Sequence, residues 1–110
     1  MQVMIRYKVK RDQLERELDL LRRVYEELEA TRPDGVRYAS FQLEDEVSFV
    51  EFAETDSPGR FSQLEAFRVY RSKLDERCEE PPVVAELDPV GSFGFAGRDD
   101  HVHPTPRSSI

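Results

Sequence analysis

The order of hydrophobic periods in this 110-residue chain predicts an α+β domain with the element order βαββαβ. Four segments alternate in the manner of β-strands: residues 2–9, 35–43, 47–55 and 82–95. Two others repeat with the period of a helix: residues 12–31 and 60–78. The second and third strands are joined by a short acidic connection, which is typical of an antiparallel hairpin. Together these observations predict a ferredoxin-like fold with an antiparallel sheet.

The first strand and the first helix are each defined by one apolar face. The strand places four apolar residues on one side: Val3, Ile5, Tyr7 and Val9. Asp12 is expected to cap the helix, with Glu15 completing a capping box. The apolar stripe of this helix is expected to consist of Leu14, Leu18, Leu21, Tyr25 and Leu28. Since the other helical positions are mostly charged, we expect an amphipathic helix that packs on a sheet.

Both strands of the hairpin carry apolar residues on both of their faces. The pairs are Val36 and Tyr38 opposite Phe41 and Leu43, then Val47 and Phe49 opposite Val50 and Phe52. A sheet with one wet face would alternate apolar and polar residues cleanly. Because two helices cover only one face, we expect a second copy of the chain to cover the other. The sequence leaves open which face meets the helices.

The second helix has two possible starts and a definite end. Ser62 with Glu65 resembles a capping box, while Pro58 suits a first helical position. Its expected stripe is Leu64, Phe67, Arg71, Leu74 and Cys78, and Pro81-Pro82 follows.

The last part of the domain is expected to be extended. Val83, Ala85 and Leu87 alternate as a fourth strand, and Pro89 marks an edge or a bend. The segment 90–95 gives a further extended piece that could cross to a partner subunit. We expect residues 1–95 to form the domain and 96–110 a disordered tail.

Composition excludes several classes of function. The net charge of −7 argues against a nucleic-acid partner, and no stretch approaches the ~20 apolar residues of a membrane span. The N-terminus lacks the pattern of a signal peptide, so we expect a cytoplasmic protein. Residues 1–95 contain no histidine, which excludes His-dependent acid–base schemes from the domain. His101 and His103 lie beside acidic residues, but we expect no metal and no cofactor.

Among single residues, Glu51 and Cys78 have the most notable surroundings. Glu51 lies between apolar neighbours in a strand. It either faces a pocket with a raised pKa, or lies at a sheet margin or beside an arginine. Cys78, the only cysteine, follows a helix whose C-terminal dipole disfavours a thiolate, and we expect it to pack in the core.

Two segments carry a resemblance to a known family: residues 64–70 (LEAFRVY) and 86–93 (ELDPVGSF). With the element order and the two-faced sheet, they resemble the dimeric α+β barrel superfamily over residues 2–95, and within it the antibiotic-biosynthesis-monooxygenase-like group. The resemblance implies a homodimer whose two sheets face each other as a barrel. It also implies a ligand pocket between the sheet and the helices of each subunit.

The resemblance is compatible with three functions. The first is cofactor-independent oxidation of a hydrophobic aromatic molecule, with Tyr7 and Arg71 as catalytic candidates. Tyr7 would donate a hydrogen bond, Arg71 would hold an anionic group, and Phe61 and Phe67 would stack on the ligand. Haem-degrading relatives resemble one another in an Asn, a Trp and a His where this chain has Tyr7, Phe61 and Arg71, so haem degradation is not expected. The second function is that of a non-catalytic ligand-binding module, and the third that of a structural homodimerisation module.

Overall fold

The computed structural model describes residues 1–57 and 59–95, and within them the chain folds in the predicted βαββαβ order. The strands are β1 (Gln2–Lys8), β2 (Val36–Gln42), β3 (Ser48–Thr55) and β4 (Val83–Glu86). The helices are α1 (Leu14–Thr31), α2 (Glu65–Arg71) and α3 (Leu74–Arg77). Short 3-10 turns precede α1 and α2 at Arg11–Gln13 and Phe61–Gln63. The predicted tail, 96–110, lies outside the described residues.

The four strands form one antiparallel sheet in the order β2-β3-β1-β4. In its register, Ile5 on β1 pairs with Glu51 on β3, and Tyr7 pairs with Phe49. All four of these side chains are buried, whereas Phe52 on the alternate face of β3 is exposed. The register therefore shows which face of the sheet meets the helices, a point that the sequence left open. The face of Ile5 and Tyr7 meets the helices, and the face of Phe41 and Phe52 does not.

The buried side of α1 differs from the predicted stripe. Leu18, which the stripe included, is 40% exposed, whereas Glu17 is fully buried. The buried residues of the helix are Glu17, Leu20, Leu21 and Val24. The prediction centred the stripe on the wrong side of the helix, because it took Leu18 in place of Leu20 and Val24. It also left out Glu17 because that residue is charged. Glu17 lies on the sheet-facing side since its carboxylate has buried hydrogen-bonding partners there.

Both predicted capping boxes are wrong. In the described structure, Gln13 rather than Asp12 precedes α1, and its side chain makes no capping hydrogen bond. Ser62 donates a hydrogen bond to the carbonyl of Gly59 instead of capping α2. The first amides of α2 donate to the Glu27 carboxylate of α1, at 3.2 Å from Glu65 N and 2.7 Å from Ala66 N. A carboxylate from the neighbouring helix thus replaces the local cap and complements the positive end of the helix dipole.

The second predicted helix is broken after Arg71. Lys73 adopts a left-handed conformation with φ of 62°, which ends α2 and starts α3. The break is stabilised by Arg77, whose guanidinium donates to the carbonyls of Tyr70 and Ser72 at 2.6 and 3.2 Å. These are carbonyls that the end of a helix leaves without an internal partner. Arg71, the last residue of α2, is exposed, and the predicted stripe does not continue through the break.

The extended C-terminal segment is shorter than predicted. β4 ends at Glu86, and the amide of Leu87 makes one further bond to the carbonyl of Gln2, at the start of β1. Beyond this point β1 offers no further partner, and Pro89 lacks an N–H to continue a ladder. Residues 90–95 belong to no strand of the described sheet, and Val90 and Phe93 are almost fully exposed.

Candidate functional site

The most unusual group between the sheet and the helices is the carboxylate of Glu51, which is fully buried. Its Oε1 accepts a hydrogen bond from the Tyr38 hydroxyl at 2.6 Å. Its Oε2 lies 2.6 Å from the Tyr70 hydroxyl and 3.2 Å from the Tyr7 hydroxyl. Burial raises the pKa of Glu51, and the short hydrogen bonds from Tyr38 and Tyr70 oppose that effect only in part. Of the two interpretations of Glu51, the structure supports an inward-facing carboxylate whose hydrogen-bonding partners are tyrosines.

A second buried carboxylate, Glu17, lies next to the first. Its Oε1 accepts from Nε of Arg77 at 2.7 Å, and its Oε2 accepts from the Tyr7 hydroxyl at 2.7 Å. Arg77 is 6% exposed, so this ion pair is inside the protein. Tyr7 touches both carboxylates and therefore joins them. We call the whole set the tyrosine–carboxylate cluster: Tyr7, Glu17, Tyr38, Glu51, Tyr70 and Arg77.

The three phenols of the cluster are held in their protonated form. Burial raises the pKa of Tyr7, Tyr38 and Tyr70, and the nearby charge of Glu51 raises each further. They act as hydrogen-bond donors and can pass a proton along, since each hydroxyl both donates and accepts.

Aromatic rings surround the Tyr38 side of the cluster. The Tyr38 ring packs edge-on against Phe61 and Phe67, with centroids at 5.3 and 5.9 Å. Phe61 and Phe67 also contact each other at 5.0 Å. On its other side Tyr38 stacks on Tyr25 at 5.4 Å. These rings form an apolar wall that excludes water from one side of Glu51.

A surface cleft of about 370 Å³ adjoins this wall, between the end of α1 and the start of β2. Its lining consists of Tyr25, Leu28, Glu29, Arg32, Pro33, Val36 and Tyr38. The Tyr25 hydroxyl lies 2.7 Å from Ser40 Oγ, and burial raises the pKa of Tyr25 to about 12. Because Tyr38 both lines the cleft and donates to Glu51, it connects the two.

The residues proposed from the sequence fall into two groups. Tyr7 is at the centre of the cluster, and Phe61 and Phe67 belong to the wall around Tyr38. Arg71 is exposed at the end of α2, and its neighbour Tyr70 is the residue that points inward.

Sequence reasoning missed Glu17 and Arg77. For Glu17 a signal was present, because it has helical spacing from Leu14, Leu21 and Val24 and so interrupts an otherwise apolar row. Arg77 has no comparable signal, since its burial depends on the break between α2 and α3.

Cys78, which was singled out in the sequence, is not part of the cluster. Cys78 is buried as expected, and burial raises the pKa of its thiol to about 11. His101 and His103 lie outside the described residues. Among the residues that are described, no group of three or more potential metal-binding side chains comes together. Over the same part of the chain, no helix has the length and apolar character needed to cross a membrane.

Several solved structures are similar to this one over most of its length. An antibiotic biosynthesis monooxygenase matches with a TM-score of 0.65 and 19% identity, covering 82% of this chain and 98% of its own. A Nitrosomonas europaea protein proposed to be such a monooxygenase has a TM-score of 0.65 and 17% identity, covering 84% and 92%. Rv0793 from Mycobacterium tuberculosis has a TM-score of 0.57 and 22% identity, covering 83% and 95%.

Comparisons of sequence add no relatives: no protein-family model matches the chain, and no curated protein does. The identities to the solved structures are low, so the likeness is one of fold. The resemblance inferred from the sequence is confirmed at that level. The chain has the ferredoxin-like α+β fold, with a four-stranded antiparallel sheet, that these antibiotic biosynthesis monooxygenases share.

Proposed function

We propose that the protein binds a hydrophobic aromatic small molecule between its sheet and helices and oxidises it without a cofactor, in the manner of a monooxygenase. The observation that carries this proposal is Glu51, a buried carboxylate with a raised pKa that is joined through Tyr38 to a cleft. A carboxylate whose pKa is raised toward neutral is suited to accept a proton in catalysis.

The chemistry suits an aromatic substrate with an acidic methylene group. Loss of a proton leaves a carbanion that dioxygen can oxidise, and overall one methylene group and one dioxygen molecule become one carbonyl group and one water molecule. The substrate supplies the electrons, one oxygen atom enters the carbonyl, and the other leaves as water. In the protein, the Tyr38 hydroxyl takes the substrate proton while its own proton passes to Glu51. The aromatic ring contacts apolar side chains of the cleft lining: Tyr25, Leu28 and Val36. Phe61 and Phe67 pack against Tyr38 and keep water from it. Direct stacking of Phe61 and Phe67 on the ligand stays a prediction, because neither lines the cleft.

The test uses dithranol, an anthrone with such a methylene group, and follows its conversion to the anthraquinone by absorbance. The wild-type protein is expected to exceed the rate in buffer alone, and Glu51→Gln to lose about 10²-fold or more of that excess. Glu44→Gln, an exposed acid in the β2–β3 turn, is the control and should keep the wild-type rate. A wild-type rate equal to the buffer rate, or an unchanged Glu51→Gln rate, would overturn the proposal.

The role of Arg71 stays a prediction. Its side chain is exposed, so it can reach an anionic group only outside the cluster. Arg71→Ala tests the point in the same assay: a raised KM for dithranol supports substrate holding, and unchanged constants exclude it.

A second candidate function is non-catalytic ligand binding, and one observation favours it. Within the described residues, both oxygens of Glu51 already accept hydrogen bonds from the chain itself. Calorimetry that detects dithranol binding, together with an unaccelerated oxidation, would select ligand binding over catalysis.

We also propose that a second copy of the chain covers the outer face of the sheet, giving a dimeric α+β barrel. Register aligns an apolar row across all four strands: Ala39, Phe52, Met4 and Ala85. Next to this row, Phe41 and Val83 are 54% and 58% exposed, and Phe41 packs edge-on against Phe52. A contiguous apolar patch of this kind marks an interaction surface, and a C2 partner would present the same patch.

Native mass spectrometry tests the assembly. The wild-type protein is expected at twice the chain mass of 12.8 kDa, and Phe41→Glu at the mass of one chain. Leu18→Glu is the control, because Leu18 is a similarly exposed apolar residue on α1 rather than on the sheet. A folded Phe41→Glu protein with the wild-type mass would show that this face is not the interface.

A further inference from the structure

The Tyr7 hydroxyl of the tyrosine–carboxylate cluster has a single hydrogen and two carboxylates within reach. It lies 2.7 Å from Oε2 of Glu17 and 3.2 Å from Oε2 of Glu51. Because hydrogen bonds between a hydroxyl and a carboxylate are short, the hydrogen belongs on the Glu17 side.

The other two phenols donate their hydrogens to Glu51. Tyr38 and Tyr70 each lie 2.6 Å from one of its two oxygens. The shortest contact of each phenol therefore uses its one hydrogen. With the Tyr70 hydrogen on Glu51, the oxygen of Tyr7, which lies 2.9 Å from the Tyr70 hydroxyl, keeps its lone pairs, so one further proton placed on Glu51 would find an acceptor already in position.

The charges of the cluster also favour the uptake of one proton by Glu51. Glu51 is faced by Tyr7 from β1, by Tyr38 from β2 and by Tyr70 from α2, all of them neutral. The other two charged groups of the cluster are Glu17 from α1 and Arg77 from α3, and they pair with each other. Tyr25, also on α1, is a more distant neutral neighbour. With Glu51 ionised the buried cluster carries one net negative charge, and one added proton makes it neutral.

We propose that the Glu17–Arg77 ion pair is a positioning pair: it holds the Tyr7 hydrogen on Glu17 and so makes Glu51 the carboxylate of the cluster that takes up a proton. Arg77 does this by neutralising Glu17, and its position is fixed because it also donates to the carbonyls at the end of α2. The inference concerns the site of the proposed function, but the protonation of Glu51 can be measured without any substrate.

The experiment is a pH titration of the glutamate side-chain carboxyl carbons by ¹³C NMR, with the Glu51 signal assigned by its loss in Glu51→Gln. Glu17→Gln removes a negative charge and frees Arg77. The pH at the midpoint of the Glu51 titration, called here the Glu51 midpoint, is therefore expected to fall by roughly one pH unit or more. Arg77→Met is expected instead to make a second carboxyl titrate together with Glu51. Glu27→Gln, a carboxylate on α1 that contacts α2 outside the cluster, should leave the midpoint unchanged.

A set of single hydroxyl deletions keeps the proposal testable if the charge variants do not fold. Tyr38→Phe and Tyr70→Phe each remove a hydrogen that Glu51 uses, so the Glu51 midpoint is expected to rise. Tyr7→Phe removes a hydrogen that belongs to Glu17, so the midpoint is not expected to rise. Tyr25→Phe, which deletes a hydroxyl bonded to Ser40, is the control.

Two results would overturn the positioning role. One is a Tyr7→Phe midpoint that rises as much as that of Tyr38→Phe, and the other is a Glu17→Gln midpoint that stays at the wild-type value. Neither result depends on dithranol, so they are distinguishable from a failure of the proposed oxidation. Conversely, a protein that does not oxidise dithranol can still show the expected midpoints.

Discussion

The two faces of the sheet each depart from the usual distribution of polarity. The face under the helices buries two carboxylates and an arginine, while the outer face exposes large apolar side chains such as Phe41 and Phe52. Each buried polar group has hydrogen-bonding partners, whereas the outer apolar groups lack a cover within the described chain. The contrast teaches that pairing, rather than polarity alone, decides which groups a fold can bury.

The largest expected effect compares two phenylalanines of β3. Phe49 is 1% exposed and stacks on Tyr7 at 5.3 Å, so Phe49→Ala is expected to lower the free energy of unfolding by about 3–5 kcal/mol. Phe52 is 43% exposed on the other face, and Phe52→Ala should cost a monomer under about 1 kcal/mol. Urea unfolding of both variants measures the difference.

The same experiment can be sharpened by varying the protein concentration. If a second copy covers the outer face, the unfolding midpoint of the wild-type protein depends on concentration, and that dependence weakens in Phe52→Ala. Equal losses of stability in the two variants at every concentration would contradict the assignment of the two faces.

The next largest effect is a pH dependence of folding stability, which arises from Glu51 on the helix-covered face of the sheet. Because burial raises the pKa of Glu51, the folded chain retains a proton that the unfolded chain loses above about pH 4.3. Stability is therefore expected to fall as the pH rises from that value through the folded pKa, by up to about 1.4 kcal/mol per pH unit for one proton. Unfolding curves collected from about pH 4.5 to about pH 8 measure this slope.

Glu51→Gln provides the control for the pH effect, since an amide does not titrate and the slope should flatten. Asp19 and Asp45 affect the pH dependence of stability in the opposite sense and at lower pH. Hydrogen bonds from Arg22 and Ser48 lower the pKa of Asp19 and Asp45, so their contributions are lost only as the pH falls below about 3.8. A slope that persists in Glu51→Gln would assign it to another group.

The smallest expected effect concerns how the helical layer is attached over the sheet. Glu27→Ala removes the carboxylate that accepts the first amides of α2, and the free energy of unfolding is expected to drop by about 1 kcal/mol. Glu29→Ala is a matched control on the same helix, because its ion pair with Arg32 is exposed and should contribute no more than about 0.5 kcal/mol. Equal changes in the two variants would argue against the capping role.

The fold was predictable because it depends on periods that are local in the sequence. Alternation in β2 and β3 placed Phe41 opposite Tyr38 correctly, and the apolar residues on both faces indicated a sheet with two covered sides. The start of β2 was predicted to within one residue, because Gly35 directly precedes the strand with a φ of 74° that other residues rarely adopt, whereas β4 ends well before its predicted limit. What failed was local detail that depends on tertiary partners, such as the cap of α2, which comes from Glu27.

The site was predictable only in part. Glu51 stood out because an acid inside an apolar strand needs partners, yet nothing in the sequence says that those partners are tyrosines from three other elements. Tyr70 and Arg71 show the limit most clearly, since they are adjacent in the chain and one is buried while the other is exposed. Tyr70 donates to Glu51. The break at Lys73 then lets Arg77 turn back to donate to the Tyr70 carbonyl.

The break at Lys73 also has a kinetic consequence. α2 has seven residues and α3 has four, and isolated helices shorter than about 12 residues do not persist in water. These two pieces are therefore expected to open and close as one cooperative unit, with a single free energy of opening in hydrogen exchange. Because Tyr70 and Arg77 both lie on that unit, each opening removes one hydrogen-bonding partner from Glu51 and one from Glu17. Opening of this segment therefore gives the buried carboxyls a second route for proton exchange with bulk water, beside the one through Tyr38.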